Sequence, residues 1–333
     1  MRKLIWVLLA LAALWGGYWF IGSTAVERGI AGWLDARAAE GWVAEYDDVT
    51  TRGFPNRFDT TVTGIRLADP ATGVAWTAPF FQMLALSYKP NHIIAVWPNE
   101  QSVASPFEKV AVTSDDMRGS VIFEAGTALT LDHATFVLDN IALSSDAGWQ
   151  ASATSARLAT RQTAALQNSH DIGFEADTVT LTEGFRASVD PAGVLPDAVQ
   201  RMRIDATVGF DAPWNRFAIE DRRPQVTRIE LREMQARWGE MDLRLAGELD
   251  VDAAGVPTGK ITVRAENWRQ MFDMARAAGL IPDMLAPTAE RGLAALAGMS
   301  GQPETLDAPL TFRNGIVAFG PIPIGQAPNL TIR

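Results

Sequence analysis

The chain has 333 residues, enough for one large core or two smaller ones, with 47% hydrophobic and 20% charged residues, as in folded rather than disordered proteins. With Arg2 and Lys3 set aside, 27 basic residues stand against 39 acidic ones, a net charge of −12. Such an acidic surface is unsuited to nucleic acid and would not lie flat on anionic lipid by charge alone. The lack of cysteine excludes disulfides, thiolate metal sites and a thiol nucleophile.

The N-terminus carries the pattern of a membrane anchor. Residues 4–21 are uncharged, and eighteen helical residues span about 27 Å, close to the hydrocarbon thickness of a bilayer. Aromatic side chains flank the run as an interfacial belt, at Trp6 on one side and at Trp15, Tyr18, Trp19 and Phe20 on the other. Since basic residues favour the cytoplasm, the pattern predicts a single-pass inner-membrane protein with a cytoplasmic N-terminus and a periplasmic C-terminal domain.

The alternative is a signal peptide cleaved after Ala25, for which Ser23 and Thr24 supply small neighbours. The apolar run is longer than usual for a signal peptide, and bulky Trp19 and Phe20 crowd the cleavage site. Both interpretations predict the same compartment for the rest of the chain.

An amphipathic helix is predicted next. Thr24 and Glu27 suggest a capping box at its start and Gly41 a C-terminal stop, although the segment could also continue the anchor helix. Its apolar stripe would pack on a β domain or rest on the membrane, and it comprises Val26, Ile30, Trp33, Leu34 and Ala38. The predicted organisation is an anchor at 1–23, a connecting helix at 24–41 and a periplasmic β-rich domain at 42–333.

Beyond residue 42 the hydrophobic period becomes two. Alternation is cleanest at 202–210, 241–251 and 260–265, which predicts antiparallel strands with one buried and one wet face. Further strands are predicted at 57–67, 74–88, 109–113, 119–124, 129–143, 150–160, 177–189, 227–238 and 309–319. A change of phase at Gly64 predicts a β-bulge, and hairpin loops are predicted at 69–73 and 252–257.

Two helices are predicted near the C-terminus. Asn267 would cap the first, Gly279 and Pro282 would end it, and the second would run over about 283–298. The fold class is therefore α+β, mostly antiparallel β: an N-terminal transmembrane helix, then an extended, curved β-sheet domain with a few helices near the C-terminus.

No motif in the sequence carries catalytic chemistry. The three histidines, His92, His133 and His170, have no metal-ligand spacing, and a nucleophile elbow and a dinucleotide-binding glycine pattern are missing. The segment 255–260 resembles a phosphate-binding loop but has the wrong spacing and lies between strands. We therefore expect no cofactor, no metal and no catalytic residue, and an envelope hydrolase ranks as the weakest hypothesis.

Several segments resemble an uncharacterised family of alphaproteobacterial envelope proteins, a domain of unknown function (DUF2125), over nearly the whole chain. The resemblance lies in the basic start, the single anchor and the segments 51–58, 61–67, 88–98 and 312–323. More distantly, residues 241–267 are similar to the β-hairpin units of AsmA-like proteins. That resemblance implies a curved periplasmic sheet and a role in phospholipid movement or outer-membrane assembly.

Two non-enzymatic functions remain open. The first is lipid handling or membrane biogenesis, with an apolar sheet face that shields acyl chains. The candidate lipid-facing residues are Met202, Ile204, Val208, Phe210, Leu243, Leu245 and Val263; the same residues would equally suit a closed core. The second function is a structural or interaction protein that binds another envelope protein through sheet edges or its acidic surface.

Overall fold

The computed structural model describes residues 2–163, 166–299, 301–320 and 322–332. Within them the fold is mostly antiparallel β-sheet, with a long apolar N-terminal helix and helices near the C-terminus, which confirms the predicted fold class. The described residues divide into two compact units. Unit 1 comprises residues 2–125 and 136–148, and unit 2 comprises 126–135 and 149–332.

Unit 1 begins with a single helix, α1 (Arg2–Ala39), so the anchor and the amphipathic segment are continuous. Its strands are β1 (Val43–Glu45), β2 (Asp48–Arg52), β3 (Arg57–Asp69), β4 (Val74–Leu86), β5 (Lys89–Val96), β6 (Glu100–Ala104), β7 (Lys109–Thr113), β8 (Asp116–Phe123) and most of β9 (Leu131–Ser145). Both β1 and β2 pair with β3, and β3 pairs with β4. Strand β4 pairs with β5 and β6, which continue to β8 and β7.

Unit 2 is an antiparallel meander in which strands β10 to β18 pair in chain order. The strands are β10 (Gln150–Gln162), β11 (Ser169–Thr180), β12 (Ala198–Phe210), β13 (Val226–Trp238), β14 (Met241–Val251), β15 (Pro257–Glu266), β16 (Thr305–Arg313), β17 (Ile316–Phe319) and β18 (Ile322–Gln326). The helices are α2 (Glu183–Val189), α3 (Phe217–Glu220), α4 (Trp268–Ala277) and α5 (Ala286–Met299).

The middle and C-terminal part of α1 is docked against the β-sheet of unit 1. The indole of Trp19 donates to the carbonyl of Arg57 at 2.7 Å, and the Tyr18 hydroxyl donates to the carbonyl of Ser87 at 2.5 Å. Trp19 is only 6% exposed. Further along, Leu34 is buried and Ile30 packs against the core of β3 and β4. The apolar stripe was predicted either to pack on the β domain or to rest on the membrane. Leu34 and Ile30 pack on the β-sheet.

The structure contradicts the predicted start of the connecting helix and confirms its predicted end. The capping box at Thr24 and Glu27 is wrong, because α1 runs through these residues, and Glu27 instead accepts a hydrogen bond from the backbone of Thr51 at 2.6 Å. The stop at Gly41 is confirmed: this residue has φ +92, and the Trp42 amide donates to the Arg37 carbonyl at 3.0 Å.

Three β-strand predictions need correction. The strand at 177–189 is wrong beyond residue 180, because 183–189 form helix α2, capped by Thr182, whose hydroxyl accepts from the Phe185 amide. The strand at 309–319 is two strands joined by a turn with positive φ at Asn314 and Gly315. The bulge at Gly64 is wrong: pairing with β4 keeps one register on either side, and the burial phase changes at a left-handed glycine, φ +62.

Both predicted hairpin loops and both predicted C-terminal helices are confirmed. In the β14–β15 loop the Asp252 carboxylate accepts the amides of Ala254 and Val256, each at 2.9 Å. Asn267 precedes α4 as predicted, but its side chain donates to the Glu240 carbonyl instead of capping the helix. Gly279, at φ +72, follows the end of α4.

Candidate functional site

The candidate lipid-facing residues of the sequence analysis lie on one face of the unit 2 sheet. One row across the strands pairs Ile204 with Met234, Met234 with Leu245, and Leu245 with Val263. A neighbouring row contains Met202 and Leu243, both paired to Ala236, and the remaining candidates, Val208 and Phe210, lie two and three side-chain positions further along β12. Because side chains alternate across a strand, these rows form a continuous apolar face.

Coverage of this face is uneven. Met202 packs against a cluster of Val189, Leu195, Val199, Trp238 and Met241, and Leu243 packs against the cluster beneath α4 and α5. These two candidates are therefore core residues. Val263 is also buried, whereas Ile204, Val208 and Leu245 are half-buried, which leaves part of their surface accessible.

A large apolar cleft lies where α4 and α5 pack on the sheet. Its volume is 730 Å³, and it is lined by Ala265, Trp268, Met271, Phe272, Ala275, Leu280, Ile281, Pro282, Leu285, Thr288, Ala289, Leu293, Leu306, Phe319, Pro323 and Ile324. No lining side chain carries a charge. Thr288 has a hydroxyl, and the only other polar atom among these side chains, the Trp268 indole nitrogen, already donates to the Pro303 carbonyl at 3.0 Å.

The helix sequence explains how the cleft is held open. Trp268 and Phe272, one turn apart on α4, are buried and meet edge to face at 6.5 Å, so they fix the helix on the sheet. The connection to α5 then exposes large apolar side chains: Leu280, which lines the cleft, is 77% exposed, and Met284 is 89% exposed. Sequence analysis missed this cleft, although apolar residues on both sides of Pro282 in a predicted loop were an available signal.

The opposite face of the unit 2 sheet is polar and holds a groove of 730 Å³. Its carboxylates are already partnered: Asp171 accepts from Thr207 at 2.7 Å and from Arg161 at 3.1 Å, and Arg232 binds Asp205 at 2.9 Å. The hydrogen bond from Thr207 lowers the pKa of Asp171, and burial only partly opposes it. The hydrogen bond to Asp205 raises the pKa of Arg232. These charges therefore form a hydrogen-bonded network on the wet face of the sheet.

Each of the three histidines has its own local partner. His92 is hydrogen-bonded to Ser120 at 2.9 Å, and His133 lies 3.3 Å from Asp132. His170 is buried on the apolar face opposite Val208, where burial lowers its pKa and the charge of Asp171 partly opposes the shift. Among the residues described, no group of three or more His, Asp or Glu side chains could hold a metal ion.

The segment that resembles a phosphate-binding loop is part of the β14–β15 hairpin. Gly259 has φ +150, and a Cβ atom there would lie 2.2 Å from the carbonyl oxygen of Glu248. The glycine therefore permits close approach of two strands, and no helix follows it to bind phosphate.

Comparison with known proteins gives one result. A family model described as "Uncharacterized protein conserved in bacteria (DUF2125)" matches residues 19–328. No curated protein and no solved structure matches the chain. The likeness to AsmA-like proteins therefore stays a prediction, and the chain belongs to the DUF2125 family.

Proposed function

We propose that this protein is a membrane-anchored, non-enzymatic protein of the cell envelope that handles lipid, and that the apolar cleft of unit 2 receives an acyl chain. The observation that carries the proposal is the cleft itself. Its 730 Å³ lies within the range of small-molecule sites, and the side chains that line it are hydrocarbon apart from the Thr288 hydroxyl, the Met271 thioether and the engaged indole of Trp268.

The chemistry of the lining selects the ligand class. A polar ligand would lose hydrogen bonds to water and find almost none in the cleft, which costs about 1–3 kcal/mol for each unpaired group. An acyl chain carries no such cost, and each methylene withdrawn from water contributes about 0.8 kcal/mol. The half-buried sheet residues Ile204, Val208 and Leu245 offer further apolar surface in the same unit.

The anchor is supported by what the helix touches. Among the described residues, α1 is the one helix long and apolar enough to span a membrane. Cleavage after Ala25 would remove Trp19 and Tyr18, whose hydrogen bonds to Arg57 and Ser87 and whose contacts with Phe58 belong to the folded unit 1. A transient signal peptide needs no such contacts, so a retained anchor at residues 1–23 is favoured, leading through 24–41 into a periplasmic β-rich domain at 42–333.

The location has a direct test. A reporter that is active only outside the cytoplasm, fused after Arg333, should be active, and the chain should fractionate with membranes and keep its N-terminus. A soluble mature protein that begins at Val26 would contradict the anchor.

The ligand proposal is tested by photo-crosslinking in living cells. A photoreactive amino acid at Leu285, on the rim of the cleft, should form adducts with phospholipid. Ala289→Phe places a benzyl group inside the cleft and should reduce these adducts several-fold, whereas Ala295→Phe, on an exposed position of the same helix, should leave them unchanged.

The outcomes separate the two functions considered. Phospholipid adducts that Ala289→Phe removes support lipid handling, and a second crosslinker at Val208 reports whether the sheet face takes part. A single protein adduct at Leu285, with no lipid, would contradict the proposal and favour a protein that binds another envelope protein.

A further inference from the structure

The turn that joins β2 to β3 touches α1 within its apolar run. The Pro55 carbonyl accepts a hydrogen bond from the Trp15 indole at 3.0 Å. The ring of Phe54 lies 5.5 Å from that of Trp19 and 5.7 Å from that of Phe20. These contacts place the turn beside helix positions 15–20.

Those helix positions lie below the membrane surface if α1 spans the bilayer. The uncharged run ends at Ile21, and at about 1.5 Å per residue Trp15 lies roughly 9 Å and Trp19 roughly 3 Å inside that end. Helical side chains also lean toward the N-terminus, which here is the direction of the bilayer centre. A loop in contact with these side chains must share their depth.

The exposed side chains of the turn suit that environment. Phe54 is 56% and Tyr88 64% exposed, and Tyr88 belongs to the β4–β5 turn, whose Ser87 carbonyl accepts from Tyr18. In water, these rings and the exposed Phe20 would form an apolar patch of the kind that marks a membrane or protein contact. At a bilayer interface, aromatic rings are the preferred side chains.

The charges around the patch match a lipid surface. Arg52, at the end of β2, and Lys89, in the second turn, are exposed beside the patch, in a chain whose net charge is −10. Arg57 is also exposed, and its guanidinium binds Asp59 at 3.0 Å. Basic side chains beside inserted aromatic rings reach lipid phosphates. The patch is also continuous with the aromatic belt of α1, because Phe54 contacts Trp19 and Phe20. A bilayer that surrounds the belt would therefore also contact the patch.

We propose that the two turns, at residues 53–57 and 86–89, enter the membrane leaflet on the side of the β-rich domain, with Phe54 and Tyr88 among the acyl chains and Arg52 and Lys89 at the headgroups. The inference rests on the proposed anchor. It adds a second, loop-borne membrane contact that fixes unit 1 against the bilayer surface rather than leaving it on a free tether.

The test uses the full-length chain in vesicles of phosphatidylcholine and phosphatidylglycerol. Because there is no native cysteine, single variants Phe54→Cys, Tyr88→Cys and Phe20→Cys can each carry one environment-sensitive fluorophore. Phe107→Cys, in a loop of unit 1 and 94% exposed, is the matched aqueous control. Because Phe54 packs on Trp19, Phe54→Cys could disturb folding, and the Tyr88→Cys variant provides an independent measurement.

Labels at 54 and 88 should be quenched several-fold more strongly by acyl-chain spin labels than the label at 107, at a level close to that at 20. Quenching at 20 but aqueous behaviour at 54 and 88 would overturn the inference while the anchor stands. Aqueous behaviour at all four positions would overturn the anchor itself. Protection of 54 and 88 from both lipid and aqueous quenchers would assign the patch to a protein contact, such as a second copy, and overturn insertion.

Discussion

Gly22→Ala tests the docking of α1 on unit 1. A Cβ atom at Gly22 would lie 2.6 Å from Cζ of Phe58 and 3.3 and 3.5 Å from its two Cε atoms. Phe58 is 6% exposed and is flanked by the rings of Tyr18 and Trp19 at 6.4 and 6.1 Å. Since the new methyl group meets the whole end of an enclosed ring, a small tilt of Phe58 does not relieve the contact.

Two opposing free energies decide the sign. Replacing glycine by alanine inside a helix contributes about 1 kcal/mol to stability, whereas overpacking a filled site costs about 1–3 kcal/mol. Gly32→Ala is the matched control, because nothing lies within 4 Å of a Cβ atom there. We therefore expect Gly22→Ala to be less stable than Gly32→Ala by about 1–3 kcal/mol.

The measurement is thermal unfolding of the full-length protein in lipid nanodiscs, followed by near-ultraviolet circular dichroism. Phe58→Leu replaces the opposing ring by a shorter side chain. The double variant with Gly22→Ala should therefore lose less stability than the sum of the losses of the two single variants. If Gly22→Ala and Gly32→Ala were equally stabilising, α1 would not be docked on Phe58, and the argument for a retained anchor would fail with it.

Two further predictions concern unit 2. Leu245→Asp should lower the free energy of unfolding by about 2–4 kcal/mol because it desolvates a carboxylate on the apolar face. Ala246→Asp, at the exposed neighbouring position, should change it by less than about 0.5 kcal/mol. Equal losses of stability in chemical denaturation would refute the strand register. Burial lowers the pKa of His170 below its ordinary 6.5, so the unfolded chain binds the proton more readily and stability should fall as pH drops below about 6.5, before Asp171 protonates. His170→Gln should flatten melting temperature between pH 7.5 and 5, and an unchanged slope would count against burial of the neutral ring.

Strands were predicted correctly where apolar and polar residues alternate over a whole strand. The prediction failed where a short helix has the same alternation in its sequence. The strands at 241–251 and 257–266 have one apolar and one charged face over their length, which only a half-buried strand explains. In α2, Phe185, Ala187 and Val189 also alternate with polar or small residues, so a helix of two turns looked like the end of a strand. The Thr182 cap was the available signal against that interpretation.

The wet face was predictable as polar, but its connections were not. The guanidinium of Arg244 binds the buried Asp242 at 2.9 Å. Burial opposes the charged form of Asp242, and the hydrogen bond from Arg244 helps to hold its pKa below the ordinary value. Replacing Arg244 by Asp would therefore place two carboxylates together, so Ala246 is the appropriate control. The alternation places Asp242 and Arg244 on one face of β14, but it does not show that Asp242 is buried on that face.

The docking of α1 could not be read from the sequence for a different reason. The hydrogen-bond acceptors for Trp15, Tyr18 and Trp19 are backbone carbonyls between 38 and 69 residues away. Every residue has a carbonyl, so the acceptor leaves no side-chain signature. The division into units is also invisible in the sequence, because the boundary between Thr135 and Phe136 falls inside the continuous strand β9.

If the apolar cleft receives an acyl chain as proposed, its lining favours transfer of that chain over storage. Moving an acyl chain from a bilayer into a lining of Trp268, Phe272, Leu293 and Leu306 exchanges one hydrocarbon environment for another, so the hydrophobic gain is close to zero. Moving the same chain into water costs about 0.8 kcal/mol for each methylene, or about 8 kcal/mol for ten. Under the proposed function, a cleft without a charged or strongly polar anchor would therefore hold a chain against water but release it to a membrane, which is the balance that a carrier of acyl chains requires.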